Sequence, residues 1–453
     1  MVPRLLRLLC SCLALALTAL QPALAAVSLQ VVSDVRTEAA PGAAVVLPDR
    51  HEVLNVTLGD DVMVVARPGA QVVYDFRQRR YYALDTVHKV YVDYSLYSIV
   101  GFRTMELEHR ASMDAMLTAA KVVAPAVRAV DREQELSIAA SHHATSDAAA
   151  DTTFDETTEG DLRAFASGGA RLATWSTRGS TVAAADAAHF ARFLRYTQAG
   201  HPQLLALLAT GALIPQQLTF TVNTMAGVRT VQLNVSAVRQ VEAPVVDLTG
   251  YARRSNATDP LDALLDRMAA QTPAQLAALR AAHPCDTAAD YHDHQLLDTM
   301  LGRTECVLAT GAAMLPFTPA QTEQLRADGG VALMFAAIGP KSRDEYAASI
   351  TTLAALRGQA PRKAYLLQLF EANNRRVLGQ HRESLQLFEA VLTANPVLAG
   401  AYKDLGDLLL TQFDSTRAWR SWDIGRAIGP QVANFDAVGK LEQELAARHP
   451  EFF

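Results

Sequence analysis

The chain has no run of lysine and arginine that would make a patch for nucleic acid or an anionic membrane. It sets 41 basic residues against 47 acidic ones, a formal net charge of -6. A nucleic-acid partner needs a basic footprint, so that class is excluded. Enzyme signatures are equally scarce: there is no G-x-S-x-G elbow, no P-loop and no G-x-G-x-x-G turn. The carboxylate pairs Asp60-Asp61 and Asp155-Glu156 fall in loop-like stretches. Acid–base work would need them to share a cleft. No catalytic residue and no cofactor is assigned, and the chain is expected not to be an enzyme. Beyond its first 25 residues no apolar run approaches the roughly 20 residues that a membrane helix needs, so the mature chain is expected to have no transmembrane segment.

Cysteine is also scarce, with four in 453 residues, and Cys10 and Cys12 sit in the N-terminal apolar stretch. That stretch has the parts of an export signal. Arg4 and Arg7 are the positive end, Leu8 to Leu20 is apolar, and Ala23-Leu24-Ala25 gives the small-x-small pattern before a cut at Ala26. Residues 1–25 are therefore read as a signal peptide and the protein as periplasmic or secreted. Cys285 and Cys306 remain after cleavage. An even pair in an exported chain predicts a disulfide, since an oxidising compartment lets one persist.

What is present divides in two. Residues 27–250 read as one α+β domain, an antiparallel sheet with helices. Val27 to Val31, Val53 to Leu58, Val62 to Ala66, Gln71 to Phe76, Tyr81 to Leu84 and His88 to Tyr97 are strand patterns, β-branched and aromatic with turn residues between them. The tetrad Arg77-Gln78-Arg79-Arg80 reads as a hairpin turn. A helix is predicted from Gly101 to Val123, and a flexible polar excursion over 141–160. Strands return at Leu162 to Ala166 and Arg171 to Ser176. Helices follow from Ala184 to Tyr196 and from Pro202 to Gly211, then a hairpin from Gln216 to Val241. From Asp259 onward the pattern is helical. Thr258-Asp259-Pro260, Thr272-Pro273 and Thr318-Pro319 are start signals, an N-cap followed by proline in the first turn. Residues 258–358 form a helical region, and 359–453 a repeat with a capping helix.

The repeat is visible in its spacing. Pro396 and Pro430 stand 34 residues apart. Before the first comes Ser384-Leu385-x-x-Phe388-x-x-Val391-Leu392; before the second comes Ala418-Trp419-x-x-Trp422-x-x-Gly425. Upstream of the second, Tyr402-x-x-Leu405-Gly406-x-x-Leu409 completes the unit, and Phe435, Val438, Leu441 and Leu445 make a final stripe. The region resembles a tetratricopeptide repeat. The resemblance implies a core of Ser384, Phe388, Val391, Pro396, Tyr402, Leu405, Gly406, Ala418, Trp422 and Pro430. It also implies a protein- or peptide-binding groove lined by first helices, here Asn373, Lys403, Asp407 and Leu410. In the preceding unit Glu371 and Ala372 stand where leucine and glycine are usual. At least three stacked units are expected, with helices of 258–358 completing the array.

Tyr74-Asp75-Phe76, Tyr81-Tyr82-Ala83-Leu84-Asp85 and Tyr91-Val92-Asp93-Tyr94 faintly resemble periplasmic lipoprotein-carrier-like folds. That resemblance implies a hydrophobic ligand held in the N-terminal domain. The cluster His283, Cys285, Asp286, Asp290, His292, Asp293 and His294 has metal-ligand chemistry but no ligand spacing. It reads as a solvated helix start, and no metal is assigned. The expected function is an exported, non-catalytic scaffold that binds another protein through its repeats, the alternative being a carrier of a hydrophobic ligand.

Overall fold

The computed structural model describes residues 26–453 apart from 40–47, 122–127, 141–152, 199, 225–226, 256, 286–294, 315 and 341. The architecture is α+β: an antiparallel sheet in the first half and helices in the second. The chain divides into two compact units. The first takes residues up to Val90, Leu107–Tyr251 and Glu451–Phe453; the second takes Tyr91–Glu106 and Ala252–Pro450. A single boundary near residue 250 therefore misassigns two segments. Tyr91–Glu106 belongs with the helices, and Glu451–Phe453 with the sheet.

The sheet of the first unit is built around β1 (Ala26–Ala39), whose inward positions alternate with half-exposed ones. On one side β1 pairs with β2 (Arg50–Gly59), setting Leu29 opposite Val56 and Val31 opposite Leu54. On the other it pairs with β13 (Gly227–Val241), setting Ser33 opposite Leu233. Beyond β2 come β3 (Val62–Arg67), β4 (Ala70–Asp75) and β5 (Arg80–Asp85), a meander of tight antiparallel hairpins. Beyond β13 come β12 (Gln217–Thr224), β9 (Ala170–Ser176), β8 (Leu162–Ser167) and β7 (Phe154–Glu159). The short strands β10 (Gly179–Thr181) and β11 (Leu213–Pro215) pair separately. β7 corrects the excursion expected over 141–160. Its 154–159 portion is a strand at the sheet margin, and 141–152 lies outside the described residues. Its sequence is acidic and almost wholly exposed, the composition of an edge protected against adding another strand.

β6 (Val90–Ser95) is shorter than the strand expected over His88 to Tyr97. Helix α1 (Leu96–Ala119) begins five residues before the predicted start, because Leu96 and Val100 are already buried as one helical face. A second helix, α2 (Ala129–Leu136), had no counterpart in the sequence reading. It buries Asp131, Arg132 and Gln134. Arg128 grips Asp131 with two bonds of 2.7 and 3.1 Å, and the Asn223 amide donates to the same carboxylate at 3.1 Å. The Gln134 amide donates to the carbonyls of Leu172 and Thr221, at 3.3 and 2.6 Å. Arg132 pairs with Asp114 of α1, so both charged groups have partners, without which their burial would be costly, while the Gln134 carbonyl oxygen is buried without one among the described residues. Helices α3 (Ala184–Thr197) and α4 (Pro202–Thr210) lie where proline, glycine and apolar spacing put them. α3 buries Ala187, Phe190, Ala191, Phe193 and Leu194 as one stripe.

In the second unit Tyr91 and Asp93 of β6 meet the two-residue β14 (Ala252–Arg253). Arg254 N–H donates to the Tyr91 carbonyl at 2.7 Å, and Arg253 pairs with Asp93 at 2.7 Å. Helices α5 (Pro260–Ala269), α6 (Pro273–Ala282) and α8 (Pro319–Ala327) start at the three expected signals, with Asp259, Thr272 and Thr318 as N-caps. The others are α7 (Leu296–Thr310), α9 (Gly329–Ile338), α10 (Arg343–Leu356), α11 (Ala364–Val377), α12 (His381–Ala394), α13 (Ala399–Thr411), α14 (Ser415–Ile428) and α15 (Asp436–Arg448). The start of α1 packs on α14: Ser415 Oγ donates to the Ser98 carbonyl at 2.7 Å, and Arg420 lies 5.0 Å over the Tyr94 ring. A Cβ at Gly101 would stand 2.6 Å from the Trp419 ring. Gly101→Val should therefore cost about 1–3 kcal/mol by overpacking. Urea unfolding of the full chain reads this directly, and an unchanged midpoint would remove α1 from the helical core.

Candidate functional site

Two helical hairpins carry the repeat spacing. α11 and α12 are joined by the turn 378–380, α13 and α14 by the turn 412–414. Ser384, Phe388, Val391, Tyr402, Leu405 and Ala418 are fully buried, and Trp422 is 2% exposed. Gly406 faces the Trp422 indole so closely that any Cβ there would collide with it. The indole N–H donates to the Lys403 carbonyl at 3.1 Å. Ser384 Oγ donates to the Ala372 carbonyl at 2.7 Å, so Ala372 makes the close approach expected of glycine. Glu371, where leucine is usual, is buried and paired with Arg357 and Arg375. The two prolines differ from expectation. Pro396 is half-buried and Pro430 is exposed. Neither is core, because each follows a helix end that proline cannot extend. Val438 and Leu445 of α15 are buried, as is Phe435 just before it. α10 packs against α11, α7 against α13, and α5 against α12 and α14, so the preceding helices extend the stack.

The four groove residues are all half-buried. Lys403 pairs with Asp407 at 2.6 Å. The Asn373 amide donates to Asp404 at 2.8 Å, bridging α11 to α13. The Asn373 carbonyl oxygen is buried without a partner among the described residues. Leu410 lies one turn beyond Asp407 on α13. Asp404 had not been singled out in the sequence, since nothing in its spacing separates a partly buried carboxylate from a solvated one. Burial is the main force raising its pKa, with Asp407 acting in the same direction and Asn373, Arg376 and Lys403 opposing. The result is a polar strip of mixed charge.

A second polar cluster holds the base of the stack. Glu305, 3% exposed on α7, accepts from Tyr365, Lys363 and Asn395, the last at 2.6 Å. The Tyr365 hydroxyl is pushed up by burial first and by Glu305 second. Asp298, two turns of α7 earlier on the same face, accepts from the Lys363 backbone at 3.1 Å. Cys306 is buried next to Glu305, and it stands at disulfide distance from Cys285, 5.2 Å between Cα atoms. The bridge joins the stretch after α6 to the second half of α7. Of the cluster weighed for metal, Asp286, Asp290, His292, Asp293 and His294 lie outside the described residues.

In the first unit a cavity of about 180 Å³ lies between β2–β4 and the end of α3. Leu54, Val65, Val72 and Tyr74 are apolar members of its lining, with Glu52 and Arg67 beside them. Small-molecule sites commonly occupy about 300–1,000 Å³, so this cavity is small for a lipid-sized ligand. No protein-family model matches the chain, and no curated protein matches it.

Because burial raises the Asp404 carboxyl, its ionised form costs stability at neutral pH. Its favourable contribution is complete below the unfolded carboxyl range and is lost as pH rises through its folded pKa. Asp404→Asn should therefore melt at or above the native temperature near pH 7.5, and the gap should close towards pH 3.5. Thermal melts at both values check this; an advantage that grows in acid would reverse the assignment.

Proposed function

We propose that this protein is an exported, non-catalytic scaffold that binds another protein or peptide through the exposed face of its C-terminal helical hairpins. The observation that carries the reading is the polar strip on α11 and α13. Asn373, Lys403, Asp407 and Leu410 share one side of two stacked first helices, and their charged groups are only partly withdrawn from water. Such a face offers donors, acceptors and one apolar contact along an extended line, which is what a peptide backbone and its side chains require. Leu333 and Phe335 on α9, each about half exposed, add apolar surface in the same unit. Exposed apolar side chains of that size favour a partner.

The disulfide-distance pair and the signal-like N-terminus support export to the periplasm or beyond. Among the described residues no helix is long and apolar enough to cross a membrane.

Two measurements test the reading. In pull-downs from periplasmic extract, Lys403→Glu combined with Asp407→Lys should lose the specific partners of the wild-type chain by at least tenfold while circular dichroism stays unchanged. An identical partner list would end the groove assignment. Separately, non-reducing peptide mapping of exported protein should recover the Cys285–Cys306 cross-link, and reduction should cost about 2–4 kcal/mol of stability. Recovery of free thiols alone would contradict export into an oxidising compartment.

A further inference from the structure

The segment Glu451–Phe453 occupies a cleft of the first unit whose chemistry is that of a peptide receptor. Phe452 is fully buried although it belongs to a single 3-10 turn, Pro450–Phe452. Its ring meets the edge of Tyr196 at 5.4 Å, and the Arg195 guanidinium lies 5.3 Å from its centre. The Tyr196 hydroxyl donates to the Phe452 carbonyl at 3.0 Å, a main-chain contact that any residue at that position could accept. Arg195 also stands 3.7 Å from the Glu451 carboxylate, and Arg79 lies 5.1 Å over the Phe453 ring. Behind these, Tyr196 packs on Tyr74 at 4.9 Å and on Phe76 at 5.9 Å, and Arg192 covers Phe76 at 4.4 Å. The turn Arg77-Gln78-Arg79-Arg80, needed as a β4–β5 connection whatever its composition, thus places a cation at the cleft.

We propose that this cleft is a docking site for an acidic peptide with two consecutive aromatic residues, and that Glu451–Phe453 fills it in cis as a competitor. Three features of the cleft select that chemistry. Arg79, Arg192 and Arg195 supply positive charge for the acidic residue and for the ring faces. Tyr74, Phe76 and Tyr196 supply an aromatic wall for edge-on packing. The Tyr196 hydroxyl fixes the backbone between the two aromatic residues. The segment is held by these contacts and by its covalent tether, which gives an effective concentration of about millimolar. A separate peptide of the same chemistry can replace it only when the tethered copy is weakened.

The test uses the full chain with Phe452→Ala, and as probe a fluorescein-labelled synthetic peptide with the sequence of residues 447–453. Fluorescence anisotropy should show saturable binding to the variant, at least tenfold tighter than to the wild-type chain, whose cleft is filled. A control peptide with alanine in place of Phe452 should bind at least tenfold more weakly. The probe should also raise the variant's melting temperature while leaving that of the wild type unchanged. If Phe452→Ala does not fold, Phe453→Ala, whose ring is only half-buried, takes its place in the same measurements. A folded variant that ignores the probe, or that binds both peptides equally, overturns the proposal.

Discussion

The second unit depends on two indoles one turn apart on α14. Trp419 and Trp422 meet edge to face at 5.0 Å and point to opposite neighbours: Trp422 to Gly406 on α13, Trp419 to Gly101 on α1. Each ring is accommodated because the position facing it has no side chain. Bulky rings against glycine allow helix axes to approach while still filling the interface, so packing density is kept without strain. α14 is thereby held on two sides, and the segment Tyr91–Glu106 becomes part of a helical core far from it in sequence. Within the repeat spacing, Gly406 facing Trp422 is the sequence trace of this constraint.

Polar groups do different work in the same unit. Glu305, Glu371 and Asp266 are each 3% exposed, and each is met by at least one cation: Lys363, Arg357 with Arg375, and Arg420. Desolvating such ions offsets most of their attraction, so they add little net stability. Removing one partner would leave a charge in the core, and wrong packings of the same helices would do the same. The effect is selective: in a stack of similar helices, a register that parted Glu305 from Lys363, Tyr365 and Asn395 would leave its buried carboxylate without these donors. Aromatic packing supplies the density and the buried acids fix the order of helices.

This division of labour explains what could be read from the sequence. Strands and helices with one apolar face were visible because burial and hydrophobicity coincide in them. β1 to β5, α3 and the proline-led starts of α5, α6 and α8 follow their own residues. α2 was invisible because three of its five buried positions are Asp131, Arg132 and Gln134, whose partners are Arg128 and Asn223, Asp114, and the carbonyls of distant strands. β7 was missed for the opposite reason: an edge strand of Asp155, Glu156, Thr157, Thr158 and Glu159 has the composition of a solvated loop. In the candidate groove, Asn373, Lys403, Asp407 and Leu410 were placed by analogy of spacing, whereas Asp404 became evident only when α11 was set beside α13. The Phe452 cleft could not be read at all, since its parts lie on β4, the β4–β5 turn, α3 and the segment 451–453.

That last distribution has a consequence for how the chain folds. Neither unit is made of one continuous stretch. The first is complete only with Phe452, whose ring and carbonyl both engage Tyr196. The second is complete only with Ser98 and Gly101, which α14 requires. Cutting the sequence near residue 250 would give a sheet with an empty aromatic cleft and a helical stack with an uncovered Trp419. Such contacts between sequence-distant residues must wait for loop closure before they contribute. The two exchanged segments are therefore expected to be late, cooperative additions to structures already formed locally. Late, short elements are drawn from the less stable end of a fold. By that reasoning Glu451–Phe453, one 3-10 turn with one buried ring, is the piece of this protein best placed to open without unfolding the rest.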